Sequence, residues 1–123
     1  FGMYFTRHRD FAGKLQPLFF GKDYRSRDFY PSMEPERLPE LETLPPCYLV
    51  TSDDCALKPH SAAFEQLLRQ HGVQHTFRCW PKNPEKGLPH IFNVAHPDWP
   101  ESRETMQEMV NFFRVLCSQS ILV

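Results

Sequence analysis

The rhythm of apolar and polar positions changes at Pro46. Upstream, residues 1–43 mix basic, aromatic and proline residues without a period, after an apolar opening, Phe1-Gly2-Met3-Tyr4-Phe5, that has the texture of a strand already under way. This stretch reads as a connector or cap-like segment with a short helix near Pro35 to Leu41. From Cys47 to Thr51 the residues form a short, largely apolar run, Cys-Tyr-Leu-Val-Thr, of the kind buried on both faces in a parallel sheet.

A helical period follows from His60 to His71. It puts Ala63, Phe64, Leu67 and Leu68 on one face and Glu65, Gln66, Arg69 and Gln70 on the other, with Gly72 suited to the position just past the helix end. Residues 74–80 alternate with a period of two, as in a strand nearer a sheet edge. A loop rich in Pro, Gly and Lys, residues 81–89, leads to His90-Ile91-Phe92-Asn93-Val94. The last helix opens with Asp98 as predicted N-cap and Pro100 tolerated in the first turn. Its stripe of Met106, Met109, Val110, Phe113, Leu116 and Cys117 is predicted to face the core. Strand, helix, strand, loop, helix in this order predicts an α/β fold, with parallel strands and helices on both faces.

Length and composition narrow the classes. The 123 residues suffice for one domain, and 41% hydrophobic with 24% charged residues is ordinary for a globular protein, with no run long enough to span a membrane. A net charge of -1 with interspersed signs gives no footprint for nucleic acid or an anionic membrane surface. Arg7, His8 and Arg9, and the mixed run Lys22 to Arg27, read as solvated surface. Four cysteines stand singly, without Cys-x-x-Cys pairs, which predicts reduced thiols in a cytoplasmic protein, with Cys47 and Cys79 as small buried neighbours. His71 and His75 are four apart, but Gly72 breaks the helix between them and there is no His-Glu-x-x-His; no metal or cofactor is expected.

In an open parallel sheet, functional groups gather past the carboxyl ends of the strands. Asp53 and Asp54 follow the first strand, and His90 follows the second through a loop shaped by Gly87 and Pro89. A carboxylate and an imidazole on neighbouring strand-end loops are what a charge-oriented general base requires. Each has a plainer role: paired aspartates commonly accept local backbone N–H bonds at a turn, and a single histidine in an apolar segment is usually structural. Their joint placement favours chemistry. Trp80 and Trp99 flank the His90 loop and fit packing better than a pocket wall.

Leu44-Pro45-Pro46-Cys47-Tyr48-Leu49-Val50-Thr51-Ser52 with the acids after it, the helix ending Gln70-His71-Gly72-Val73, and Gly87-Leu88-Pro89-His90-Ile91-Phe92-Asn93-Val94 before a terminal helix resemble the C-terminal part of an α/β-hydrolase of the esterase/lipase type. Residues 44–117 carry the resemblance, while residues 1–43 match only loosely the segment after the sixth strand. It implies a partial α/β-hydrolase fold, a three-layer α/β/α fragment, with residues 44–123 as the subdomain bearing the acid and histidine loops. It also implies a Ser-Asp-His triad with Asp54 as acid, His90 as base in a His-x-Phe pattern, and short acyl or acetyl esters as small-molecule substrates of the parent hydrolase.

Two departures qualify it. The family's Asp-x-Leu pattern falls on Cys55 and Leu57, so Asp54, or Asp53, reaches His90 only through a shifted turn. An ordinary thiol is mostly neutral at pH 7 and replaces a carboxylate poorly. There is also no Gly-x-Ser-x-Gly elbow and no His-Gly-Gly-Gly run, so the serine is expected upstream, in a missing N-terminal half, and the chain alone should have little or no activity. The rival expectation, which Cys55 favours, is a non-catalytic α/β-hydrolase-like binding or assembly module. A first strand with an open edge also predicts self-association.

Overall fold

The computed structural model describes residues 11–33 and 41–121. The expected strand at Phe1, the Arg7-His8-Arg9 cluster and all but the last residue of the Pro35-to-Leu41 helix lie outside the described residues. The chain divides into two compact units, Phe1–Cys47 with Pro59–His75 and Tyr48–Lys58 with Thr76–Val123.

The first unit opens with α1, Phe11–Phe20, a helix that the sequence pattern did not disclose because Pro17 lies inside it. Short 3-10 turns follow at Tyr24–Ser26, Tyr30–Met33 and Leu41–Thr43. Tyr24 is buried, with the Tyr30 ring edge-on to it at 5.7 Å. In the Lys22-to-Arg27 run the charges answer each other, Arg27 pairing with Asp23 at 3.0 Å.

The main helix of this unit, α2, spans Lys58–Gln70. It ends as Gly72 predicts: Gly72 takes φ +67°, its N–H donates to the Arg69 carbonyl at 3.2 Å, and the Val73 N–H donates to the Leu68 carbonyl at 2.9 Å. That pair of bonds is the Schellman closure, which needs a left-handed residue where glycine stands. Leu67 and Leu68 are buried as expected. Glu65, expected to face outward, is buried too, because its carboxylate accepts from the Arg69 guanidinium and lies 3.2 Å from Nε2 of His75.

The strands are β1, Cys47–Ser52, and β2, His75–Trp80, which pair in a two-stranded sheet. The Cys47 N–H donates to the Gln74 carbonyl at 3.0 Å and the Asp53 N–H to the Trp80 carbonyl at 2.9 Å, so the register advances equally along both strands and they run parallel. Both strands fall within a residue of their predicted bounds. The apolar segment His90 to Val94 runs into a short helix, α3, Phe92–Ala95.

The last helix, α4, spans Pro100–Ile121, with Pro100 at its first position, where the missing N–H costs nothing. Asp98 is not its cap: it lies two residues earlier, exposed, 3.6 Å from the Arg103 guanidinium. The predicted core stripe is also displaced. Met106, Val110 and Phe113 are 47%, 40% and 53% exposed, while Ser102 and Thr105 are fully buried. The helix meets the sheet through polar and aromatic groups: the Trp80 indole N–H donates to the Thr105 hydroxyl at 2.9 Å, the Tyr48 hydroxyl donates to Glu108 at 2.6 Å, and the Tyr48 and Phe112 rings are edge-on at 5.7 Å. Burial and the Glu108 carboxylate push the Tyr48 phenol well above its ordinary pKa.

The apolar core of this unit is Trp80, Leu88 and Phe92, with Val50 and Trp99 packed against it. All four cysteines carry free thiols. Cys47 and Cys79 are not the expected neighbours: the Cys47 thiol turns to the Pro45 carbonyl at 3.1 Å and that of Cys79 to Asp53 at 3.5 Å. No helix among the described residues is long and apolar enough to cross a membrane.

Candidate functional site

The carboxyl ends of β1 and β2 meet at the Asp53–Trp80 backbone bond, and the two loops that leave them are laced together. At the end of β1 the fully buried Ser52 hydroxyl donates to the Leu88 carbonyl at 2.5 Å. Two residues on, Oδ2 of Asp54 accepts the backbone N–H of Leu88 at 3.0 Å and of Asn83 at 2.9 Å. Leu88 is therefore gripped at both its N–H and its C=O, with its side chain buried in the core cluster.

The rest of the loop is equally determined. Oδ1 of Asn83 accepts the N–H groups of Glu85 and Lys86 at 3.0 and 3.3 Å, and the Asn83 carbonyl accepts the Gly87 N–H at 2.9 Å. Closing so tight a turn requires φ +67° at Gly87, which a residue without Cβ adopts freely. Asn83 Nδ2 and Lys86 Nζ both donate to Glu101 of α4, at 3.1 and 2.8 Å. The lysine holds the Glu101 carboxyl below its ordinary pKa.

His90 stands two residues past Leu88, exposed, with Nδ1 3.6 Å from Sγ of Cys55. The next residue, Ile91, has φ +58°, a left-handed conformation that crowds a β-branched side chain.

The structure therefore brings His90 to Cys55. It does not bring it to Asp54, whose carboxylate is turned onto the two loop amides. Asp53 faces elsewhere: it pairs with Lys58 at 2.5 Å and accepts from the Cys79 thiol, and the lysine holds its carboxyl below the ordinary range. Neither aspartate carboxylate is hydrogen-bonded to the His90 ring, whose Nδ1 has the Cys55 sulfur as its neighbour. Sequence reasoning missed Ser52 as a partner of this loop, since a serine at a strand end carries no motif.

The remaining candidates are structural. Trp80 and Trp99 pack in the core, and Trp99 stacks on His96 at 4.0 Å with Lys86 over its ring at 4.6 Å. A shallow groove of about 350 Å³ runs along Trp80, Lys82, Asn83, Leu88 and Glu101, and His90 does not line it. His71 lies 3.7 Å from Glu42, and His75 has its two nitrogens at Glu65 and the Val73 carbonyl. No group of three or more His, Cys, Asp or Glu among the described residues could hold a metal ion.

No protein-family model and no curated protein matches the chain. Solved structures do. Esterase B from Lactobacillus rhamnosis (HN001) superposes with a TM-score of 0.78 at 24% identity, over 97% of this chain and 38% of its own. A C6-C4 SN3 inhibited form of esterase B gives a TM-score of 0.76 at 25% identity, over 97% of this chain and 38% of the other. The form inhibited by a C4-C4 SN3 tributyrin phosphonate gives 0.72 at 28% identity, over 89% of this chain and 34% of the other. The chain thus spans at most 38% of the length of the esterases it matches. Over nearly its whole length, it resembles a portion of an esterase with the α/β-hydrolase-like fold.

Proposed function

We propose that this chain is the C-terminal portion of a carboxylic-ester hydrolase, with residues 44–123 carrying the acid-position and histidine loops and residues 1–43 forming a connector or cap-like segment before them. The observation that carries the reading is the position of His90, at the end of the loop after β2 and beside the loop after β1, in a chain whose fold matches an esterase. Short acyl esters are the substrates, a choice supported by the tributyrin phosphonate that inhibits esterase B. Four free thiols fit a reducing, cytoplasmic setting.

In this reading His90 is the general base. It takes the proton of a serine hydroxyl supplied from outside these residues and returns it to the leaving alcohol. At Nδ1, where a carboxylate would hold the tautomer and stabilise the imidazolium, stands the thiol of Cys55. Sulfur is a weak hydrogen-bond donor and acceptor, so a cysteine side chain orients the ring less firmly than a carboxylate would, and the reading implies a slow esterase. The chain alone, without a serine elbow or oxyanion-hole motif, should be inactive.

The test is mass spectrometry of the longer protein that contains these residues, before and after a fluorophosphonate probe. One covalent adduct, lost on His90→Ala, is the expected result. An unlabelled protein would defeat the hydrolase reading.

A further inference from the structure

We propose that Asp54 is a positioning residue which acts through its hydrogen bonds to the loop that carries His90, and that with Ser52 it forms a clamp setting the ring over Cys55. The proposal rests on the hydrolase reading only for the purpose of the clamp; the clamp itself is a matter of geometry.

Three observations converge on it. A single carboxylate oxygen, Oδ2 of Asp54, accepts two backbone N–H groups from either end of the loop, Asn83 and Leu88. Bonds from amides to a charged acceptor are among the stronger ones, and two on one oxygen fix the loop's width. The Ser52 hydroxyl takes the carbonyl of the same Leu88, so both polar groups of that peptide unit's residue are tied to the chain just after β1. Finally, Ile91 holds a left-handed φ of +58° while 55% exposed, so no burial of its own side chain explains the conformation.

Strain of this kind persists where the surroundings over-determine the backbone. Upstream of Ile91 the surroundings are the clamp on Leu88. Downstream, the Ser102 hydroxyl donates to the Phe92 carbonyl at 3.3 Å and Phe92 is buried. Between these anchors the Phe92 N–H donates to the Pro89 carbonyl at 3.0 Å, closing a turn over His90 and Ile91, and the Ile91 carbonyl accepts the Val94 and Ala95 N–H groups at 2.9 Å, so the clamp on Leu88 sets where this turn begins.

Asp54 acting as an acceptor differs in a measurable way from Asp54 acting by charge on the ring. Asparagine keeps a carbonyl oxygen for the two amides and loses the charge; alanine loses both. Amide hydrogen exchange at Asn83 and Leu88, together with the His90 ring 15N shifts, should be followed in the 123-residue chain and its Asp54→Asn, Asp54→Ala and Ser52→Ala variants.

The expected result is that Asp54→Ala speeds exchange of both amides together, by about tenfold or more, which is about 1.4 kcal/mol and within reach of a hydrogen bond to a charged acceptor. The same variant should spread the His90 ring signals over more than one state. Asp54→Asn should keep most of the amide protection and the wild-type ring shifts. If Asp54→Ala does not fold, Ser52→Ala, which leaves the Asp54 bonds in place, should still disturb the His90 signals while the Asn83 amide stays protected.

The proposal is overturned if Asp54→Asn changes the ring shifts as much as Asp54→Ala does, or if neither variant alters exchange at Asn83 and Leu88. Failure of the fluorophosphonate test leaves these readouts untouched, so the two readings fail separately.

Discussion

At the scale of single residues, the site turns on which atom meets Nδ1 of His90, and that atom is the sulfur of Cys55. Placing a carboxylate there is the most direct probe of what the sulfur contributes. On the proposed function, Cys55→Asp in a longer protein containing these residues is expected to raise kcat/KM for a short-chain ester by about tenfold or more, since losing the acid of a serine-protease triad costs roughly 10⁴ in kcat. An unchanged or lower value, with the fold intact, would show that the thiol is not what limits the base. Ile91 gives a second probe. Its exposed side chain contributes little by burial, and glycine takes φ +58° without strain, so Ile91→Gly is expected to stabilise the chain by about 1 kcal/mol, read as a rise in the denaturation midpoint. If the midpoint falls instead, the left-handed turn is being held by the isoleucine and not despite it.

At the scale of elements, α2 carries a buried carboxylate whose ionisation is tied to the fold. The Arg69 guanidinium, and then His75, hold Glu65 below its ordinary pKa. A group with a depressed folded pKa stabilises the native state fully above its unfolded value, about 4.3 for glutamate, and that contribution is lost as pH falls through the lower folded value. The thermal midpoint should therefore drop as pH is taken below the ordinary carboxylate range, and Glu65→Gln should flatten this dependence; parallel curves for the two proteins would exclude the ion pair as its source.

The same scale shows what was legible in the sequence. β1, α2, β2 and α4 follow from apolar runs, period and a glycine stop, because those features act locally. α1 did not, since Pro17 masks it, and neither did the buried face of α4. That face is built from Ser102, Thr105, Glu108 and Phe112, whose value lies in partners on the strands that no pattern within the helix can report. The partners of Asp54 and Cys55 were blurred for a related reason: a one-residue choice in a turn is decided by which backbone amides come within reach.

At the scale of the whole molecule, surface left uncovered and sheet left unpaired act together. Met106, Val110 and Phe113 recur at helical spacing on one side of α4 and are 40% exposed or more, and among the described residues each strand has one neighbour only. Exposed apolar strips and open strand edges both promote association. The esterases that share this fold extend far beyond the length of this chain, and in isolation it presents surface that a longer domain has the means to bury. We therefore expect the isolated chain to self-associate. Light scattering behind size exclusion should give a mass that climbs above 14.5 kDa with loading concentration, and Phe113→Lys should pull it back toward a single chain. Because position 113 is exposed and remote from the Asp54 clamp in sequence, the substitution should leave amide protection at Asn83 and Leu88 unchanged. A wild-type mass that stays at one chain over the whole concentration range would show that α4 and the strand edges are satisfied within the chain itself, and the expectation of association would then be lost.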